Sequence, residues 1–351
     1  MNMDRERREF EETGRAQDPV RPYPYEEEEV IIEGPAGKLS GTFTYPSNKS
    51  SFPAVVLISG SGPQNRDEEI LGHRPFLVLS DFLTRMGLGV LRYDDRGVGQ
   101  SEGDFASAST YDFAQDTLSL VEFLQSRPEV NKIGLIGHSE GGVIAPIVAS
   151  QSKAVDFLVL LAGSAVTGEE ILKLQRKLLM DASANPVWLY YEQEKVHAKA
   201  VELVKEKVSP QEFANTLRPK VEKYVNLVNK KGIANLEVEP LLGQYIAGYQ
   251  KPWFQTFLFL DPQKYLTELT IPVLALNGSK DLQVQADQNL SAIDKALKAA
   301  GNTDYEVKYL RGLNHLFQEC DTGLVSEYGA IEQTLSPLLL KEVQNWLSRF
   351  L

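Results

Sequence analysis

Gly137-His138-Ser139-Glu140-Gly141 is the stretch of this chain with the clearest chemical promise. A serine with a glycine two residues to either side suits a strand-to-helix turn too tight for larger neighbours, which holds the hydroxyl out as a nucleophile. By composition alone the pattern arises in about one chain in ten of this length. Its setting carries more weight: the apolar run KIGLIGH (132–138) leads straight into it, and EGGVIAPIVAS continues with helical character. A helix starting there would aim its first amides and positive dipole end at an oxyanion. The chemistry would be attack on an acyl carbon. The bland alternative is a glycine-rich turn with a capping serine.

A serine hydroxyl needs a base, and the chain has four histidines. His138 adjoins the serine, so its side chain is expected to point away from Ser139. His197 lies in a charged helical stretch and is expected on its surface. His315, in LRGLNHLF, falls in a loop after the last strand-like run and before the last helix, on the sheet edge where Ser139 should emerge. It is the expected base. Asp281, in NGSKDLQV, follows the strand-like IPVLALNG and should orient His315; Asp287, Asp294 and Asp304 are rivals that lie in or beyond the next helix. Serine, acid, histidine is the chain order such a constellation takes in a doubly covered parallel sheet.

Two donors should meet the oxyanion. One is the backbone N–H of Glu140. The other is expected from Gly60-Ser61-Gly62-Pro63, after the strand PAVVLISG, with the Ser61 N–H chosen and Gly62, the next candidate, counted as substrate-binding. That Gly-x-Gly is a poor dinucleotide fingerprint, since Asn65 stands where a third glycine is needed, and the chain has no P-loop.

The elements that must position these residues read as follows. Strand-like runs at 29–33 and 38–45, joined by a turn at 34–37, form an N-terminal hairpin. Apolar runs at 53–60, 88–95, 132–138, 155–163, 271–278 and 305–310 then alternate with helical stretches near 74–86, 111–126, 141–151, 287–300 and 335–350. Near-continuous apolar strands suit a parallel sheet buried on both faces, so the fold class is α/β, three layers around a mostly parallel sheet. Residues 164–270 break the rhythm with charged helical stretches and many aromatics and are expected to be an inserted helical cap. Trp253 and Phe254, late in it, are candidate substrate-binding residues, with the cap's own core as the competing role. The domain scheme is a polar tail over 1–25, a core over 26–163 and 271–351, and the cap over 164–270.

The 351 residues carry a net charge of −12, which argues against nucleic acid as a partner. No run reaches the ~18 apolar residues of a membrane span, and the charged start MNMDRERREFEE is not a signal peptide. A cytoplasmic location is expected, or a periplasmic or secreted one if a leader has been removed. The single cysteine, Cys320, allows no internal disulfide, and four scattered histidines without H-E-x-x-H argue against a metal site.

These motifs together resemble the α/β-hydrolase superfamily over about residues 28–351. Within it the chain is similar to a bacterial esterase group, also described as serine aminopeptidase-like or dienelactone-hydrolase-like. The matching stretches are GSGPQNRDE (60–68), HRPF (73–76), LRYDDRGVGQSEG (91–103), GHSEGG (137–142), PWF (252–254), NGSKDLQV (277–284) and GLNHLFQ (312–318). The resemblance implies ester hydrolysis through Ser139, His315 and Asp281 without metal or organic cofactor, on a small-molecule ester. It also implies a bracing role for Asp95 and Arg96, and for Gln64–Asp67 and His73 either substrate contact or loop packing. An aminopeptidase, amidase or thioesterase using the same residues is the first alternative, and a non-catalytic binding protein on the same fold the second.

Overall fold

The computed structural model describes residues 14–183 and 186–351. The chain divides into two compact units. The first runs to Phe105 and resumes over Tyr111–Val166 and Asp261–Leu351; the second comprises Ala106–Thr110 and Thr167–Leu260.

The first unit is built on an eight-stranded sheet: β1 (Glu26–Gly34), β2 (Gly37–Tyr45), β3 (Phe52–Ile58), β4 (Gly89–Tyr93), β5 (Val130–His138), β6 (Phe157–Leu161), β7 (Val273–Gly278) and β8 (Tyr305–Leu310). Their spatial order is β1-β2-β4-β3-β5-β6-β7-β8. β1 pairs antiparallel with β2, and β2 antiparallel with β4; the remaining pairs are parallel. The expected hairpin is present, with β1 starting three residues earlier than its apolar run because Glu26–Glu28 pair with Phe43–Tyr45.

Every residue of β3, β4, β6 and β7 is buried. Val55, Leu57, Val90, Ile136, Val159, Leu161, Leu274 and Leu276 pack in one cluster with Phe76, Leu79 and Leu83 of the helix Pro75–Met86 and with Leu339, Val343, Trp346 and Leu347 of the helix Pro337–Leu347. Their alternates Ala54, Val56, Ile58, Leu135, Leu158, Leu160 and Ala275 are buried too. Both faces of the parallel part are therefore covered, as parallel strands require.

The expected tail lies outside the described residues up to position 13; from 14 onward it is part of the first unit. Arg15 donates to the carbonyls of Ile331 (2.9 Å) and Gly329 (2.8 Å). The Gln17 side chain closes on the backbone of Thr334 and Leu335 from both its oxygen and its nitrogen.

The second unit is helical. Its helices Val187–Lys205, Pro210–Lys230 and Val238–Tyr249 bury Val196, Ala200, Leu203, Phe213, Leu217, Val221 and Leu242 against one another. Thr167 and Glu170 form a reciprocal capping box at the start of Gly168–Ala182. The bounds differ from the expected 164–270: residues 261–270 return to the first unit, where Gln263 donates to the carbonyl of Ala165 at 2.6 Å. Among the described residues no helix is long and apolar enough to cross a membrane.

Candidate active site

β5 enters its turn through Gly137 and leaves it through Gly141, the first residue of the helix Gly141–Gln151. A side chain at Gly137 would lie 2.0 Å from the Gly141 carbonyl oxygen, and one at Gly141 would lie 2.1 Å from that of Ile58. Between them Ser139 takes φ 54°, a left-handed conformation that a non-glycine residue holds under strain. The turn is pinned by the Ser139 N–H to the Leu161 carbonyl at 2.9 Å.

His315 Nε2 lies 3.1 Å from Ser139 Oγ, and its Nδ1 lies 2.8 Å from Asp281 Oδ2. The three side chains come from three loops at the C-terminal edge of the sheet. Asp281 follows β7, and its other oxygen accepts the amides of Gln283 and Val284, each at 2.8 Å. That leaves Oδ2 aimed at the imidazole. The histidine loop is closed by Asn314, whose Oδ1 accepts the amides of Leu316 (3.0 Å) and Gln318 (2.9 Å). The acid and base loops are joined by the Lys280 amide donating to the Leu313 carbonyl at 2.9 Å. Asp287, Asp294 and Asp304 bond elsewhere, to Gln285, to Lys298 and Tyr305, and to Arg349.

The loop after β3 runs beside the serine. A Cβ placed on Gly60 would come within 3.3 Å of the Ser139 Cβ. Among the described residues the next amide, that of Ser61, has no hydrogen-bond partner, which leaves it free for a developing oxyanion. Gly62 has φ 99°, and a Cβ there would meet Gln64 Nε2 at 4.0 Å. Glu140 is buried directly after the serine.

A buried acidic layer braces this loop. Asp95 accepts from Ser59 Oγ (3.1 Å) and from the Gln64 amide (2.9 Å). Burial pushes its pKa up to about 8, against those bonds and with the charges of Glu140 and Glu68 adding to the rise. Asp94 holds Arg66 through two guanidinium contacts and the Arg66 amide, while Arg96 binds Asp116. The Gln64 amide and Arg66 are thus tied into loop packing, beside Asp95 and Arg96.

Three histidines correct or resolve expectations. His138 does not point away from the site: it is buried between Glu68 (2.8 Å) and the His315 carbonyl (3.0 Å). His73 is fully buried, with Nδ1 3.0 Å from Thr334 Oγ1 and Nε2 2.8 Å from the Tyr328 carbonyl. The packing role is the one it fills, not substrate contact, because both ring nitrogens are occupied. His197 is not on the surface of its helix; it meets Tyr249 Oη at 2.6 Å, and burial pushes its pKa down to about 3.

Trp253 and Phe254 lie on the helix Pro252–Phe259 of the second unit. Trp253 stacks on Phe257 with ring centroids 5.2 Å apart, and Phe254 packs edge-on against Tyr249 at 4.9 Å. These ring contacts lie within their own unit, and both side chains remain half-buried. Glu68 is the residue that sequence reasoning passed over. It stands in a charged stretch with no hydrophobic period, and no local signal marks it as buried.

Comparison with known proteins follows the same lines. Residues 76–226 match a family model described as serine aminopeptidase, S33. Esterase EstD of Thermotoga maritima is 27% identical over 300 residues, covering 85% of this chain, and the chain spans 62% of that relative's length. The esterase of Pyrococcus furiosus superposes with a TM-score of 0.56 at 15% identity, over 93% of this chain and 92% of that one. A proline iminopeptidase-related protein of Thermus thermophilus does so with a TM-score of 0.53 at 17% identity, over 93% and 98%. At such identities the superpositions speak for the fold alone. With its mostly parallel sheet, its antiparallel hairpin and these matches, the chain has an α/β-hydrolase fold and is similar to esterase and S33-type proteins.

Proposed function

We propose that this chain is a serine hydrolase that cleaves small to medium-sized carboxylic esters through an acyl-enzyme. The observation that carries the reading is His315, bridging Ser139 Oγ at 3.1 Å and Asp281 Oδ2 at 2.8 Å. In this reading His315 takes the serine proton as Oγ attacks the carbonyl carbon. The amides of Ser61 and Glu140 hold the oxyanion. The alcohol leaves with the proton from His315, and water repeats the sequence to release the acid. Asp281 holds the imidazole in the tautomer that presents Nε2 to the serine.

An aminopeptidase would need a carboxylate free for the substrate ammonium. Four glutamates of the helical unit are engaged: Glu169 with Lys205, Glu170 in its capping box, Glu192 with Lys195, and Glu194 with Arg176. This favours esters over aminoacyl amides. The proposed substrate is a small molecule, in keeping with the esterase name of the Thermotoga relative.

The test is a panel of p-nitrophenyl esters beside aminoacyl-naphthylamides, with wild type and S139A. S139A should lower ester turnover by about four to six orders of magnitude and abolish labelling by a fluorophosphonate probe. Residual turnover within tenfold of wild type would reject Ser139 as nucleophile, and preferential amide cleavage would reject the ester reading.

A further inference from the structure

The imidazole of His138 touches two groups, and both are acceptors. Its Nδ1 faces Glu68 Oε1 at 2.8 Å and its Nε2 faces the carbonyl oxygen of His315 at 3.0 Å. A neutral imidazole has one N–H, so serving both acceptors calls for the imidazolium, with Glu68 as its counter-ion. His138 and Glu68 are 6% and 3% exposed, which is where an ion pair is scarcely screened. Burial works against the charge on His138, but the Glu68 carboxylate and the His315 carbonyl raise its pKa above the ordinary histidine value.

Each end of the pair holds a different part of the proposed machinery. Glu68 Oε1 also accepts the Gly60 N–H at 2.7 Å. That bond fixes the Ser59–Gly60 peptide plane, one residue ahead of the plane that carries the Ser61 N–H, the proposed oxyanion donor. His138 is covalently joined to Ser139, and it grips the backbone of His315, with the two rings 4.9 Å apart. The Glu68 backbone is itself forced to φ 52° and secured by its N–H to the Asn65 carbonyl at 2.9 Å. A strained non-glycine residue holding a buried charge is a costly arrangement for a loop that needs only to pack.

We infer that Glu68 and His138 are positioning residues of the reaction: an imidazolium–carboxylate clamp that ties the oxyanion loop and the base loop to the nucleophile strand. The inference rests on the serine-hydrolase reading. Neither residue touches the reacting atoms. They set where the Ser61 amide and the His315 ring stand relative to Ser139 Oγ, and misplacement by about 1 Å can cost roughly a hundredfold in rate.

The test combines spectroscopy with kinetics. In histidine-labelled (¹⁵N) wild type at pH 8, both ring nitrogens of His138 should carry protons, the signals being assigned by their loss in H138Q. E68Q removes the counter-ion and should leave one protonated nitrogen. It should lower kcat on a p-nitrophenyl ester by roughly ten- to a hundredfold with KM within about threefold, and should weaken an oxyanion-forming trifluoromethyl ketone by the same factor. Should E68Q not fold, H138Q, which keeps a donor where Nε2 stands, is read in the same assays. A single protonated nitrogen in wild type would overturn the clamp. So would a folded variant whose kcat stays within threefold, or one that loses kcat while binding the ketone unchanged. If wild type neither turns over esters nor takes the fluorophosphonate label, the hydrolase reading fails and the positioning role falls with it; the nitrogen protonation then still reports whether the ion pair exists.

Discussion

At the scale of residues, Asp281 shows how much one oxygen decides. With Oδ1 taken up by two backbone amides, Oδ2 is left to face the imidazole. D281N would offer an amide in place of that acceptor and favour the wrong tautomer of His315. Ester turnover is expected to fall by about four orders of magnitude with the fold intact; a loss under tenfold in a variant with unchanged circular dichroism would remove Asp281 from the mechanism. Asp95 supports a prediction about pH. Its folded pKa, about 8, stands far above the ordinary aspartate value of about 3.8. The native state therefore binds the extra proton between about pH 4 and pH 8, and its stability relative to the unfolded chain falls as pH rises through that window. D95N has no such proton to lose. Thermal melts from pH 4 to 8 should show the wild-type midpoint dropping relative to D95N, and parallel curves would refute the assignment. The serine, acid and histidine were all legible as residues, because strand ends and loop positions are written locally. Their mutual distances were not.

At the scale of elements, the strand-turn-helix around Ser139 depends on what does not fit there. A methyl group on Gly141 would meet the Ile58 carbonyl at 2.1 Å and that of Ser59 at 2.8 Å, both backbone atoms that cannot swing aside. G141A is expected to cost about 3 kcal/mol, read as a lower urea midpoint, and to slow fluorophosphonate labelling by shifting the end of β3. An unchanged midpoint would mean the turn can relax. The five long helices of the sheet unit were legible to within three residues from their apolar period, while the short Gln263–Leu266 and Val325–Tyr328 were not. β1 was underestimated because Glu26–Glu28 carry no apolar signal and become strand through pairing with β2. The helical insertion was legible as a break in rhythm. Its exact bounds were not, since residues 261–270 join the sheet unit through contacts such as Gln263 to Ala165 that no local pattern announces.

At the scale of the molecule, the N-terminal segment is a strap. Gln17 makes three hydrogen bonds to Thr334 and Leu335, some 317 residues away. The Gln333 carbonyl beside them accepts from Gln318, in the histidine loop. Q17A is expected to cost about 1–2 kcal/mol, measured by urea denaturation; no change would show the strap to be dispensable. The sequence by itself determined the order of strands and helices, the sheet's two buried faces, and the serine, acid and histidine at its edge. These follow from hydrophobic period and from the steric demands of a turn, which contiguous residues set among themselves. The tertiary structure alone decided which charged and polar side chains are buried and what they hold. His138 became a partner of Glu68, 70 residues away, and of the His315 carbonyl, 177 residues away. His73 was enclosed, and Glu169, Glu192 and Glu194 of the helical unit were matched with cations. A polar group enters the interior when distant groups meet its hydrogen bonds and charge, and nothing in its own neighbourhood of the chain records them.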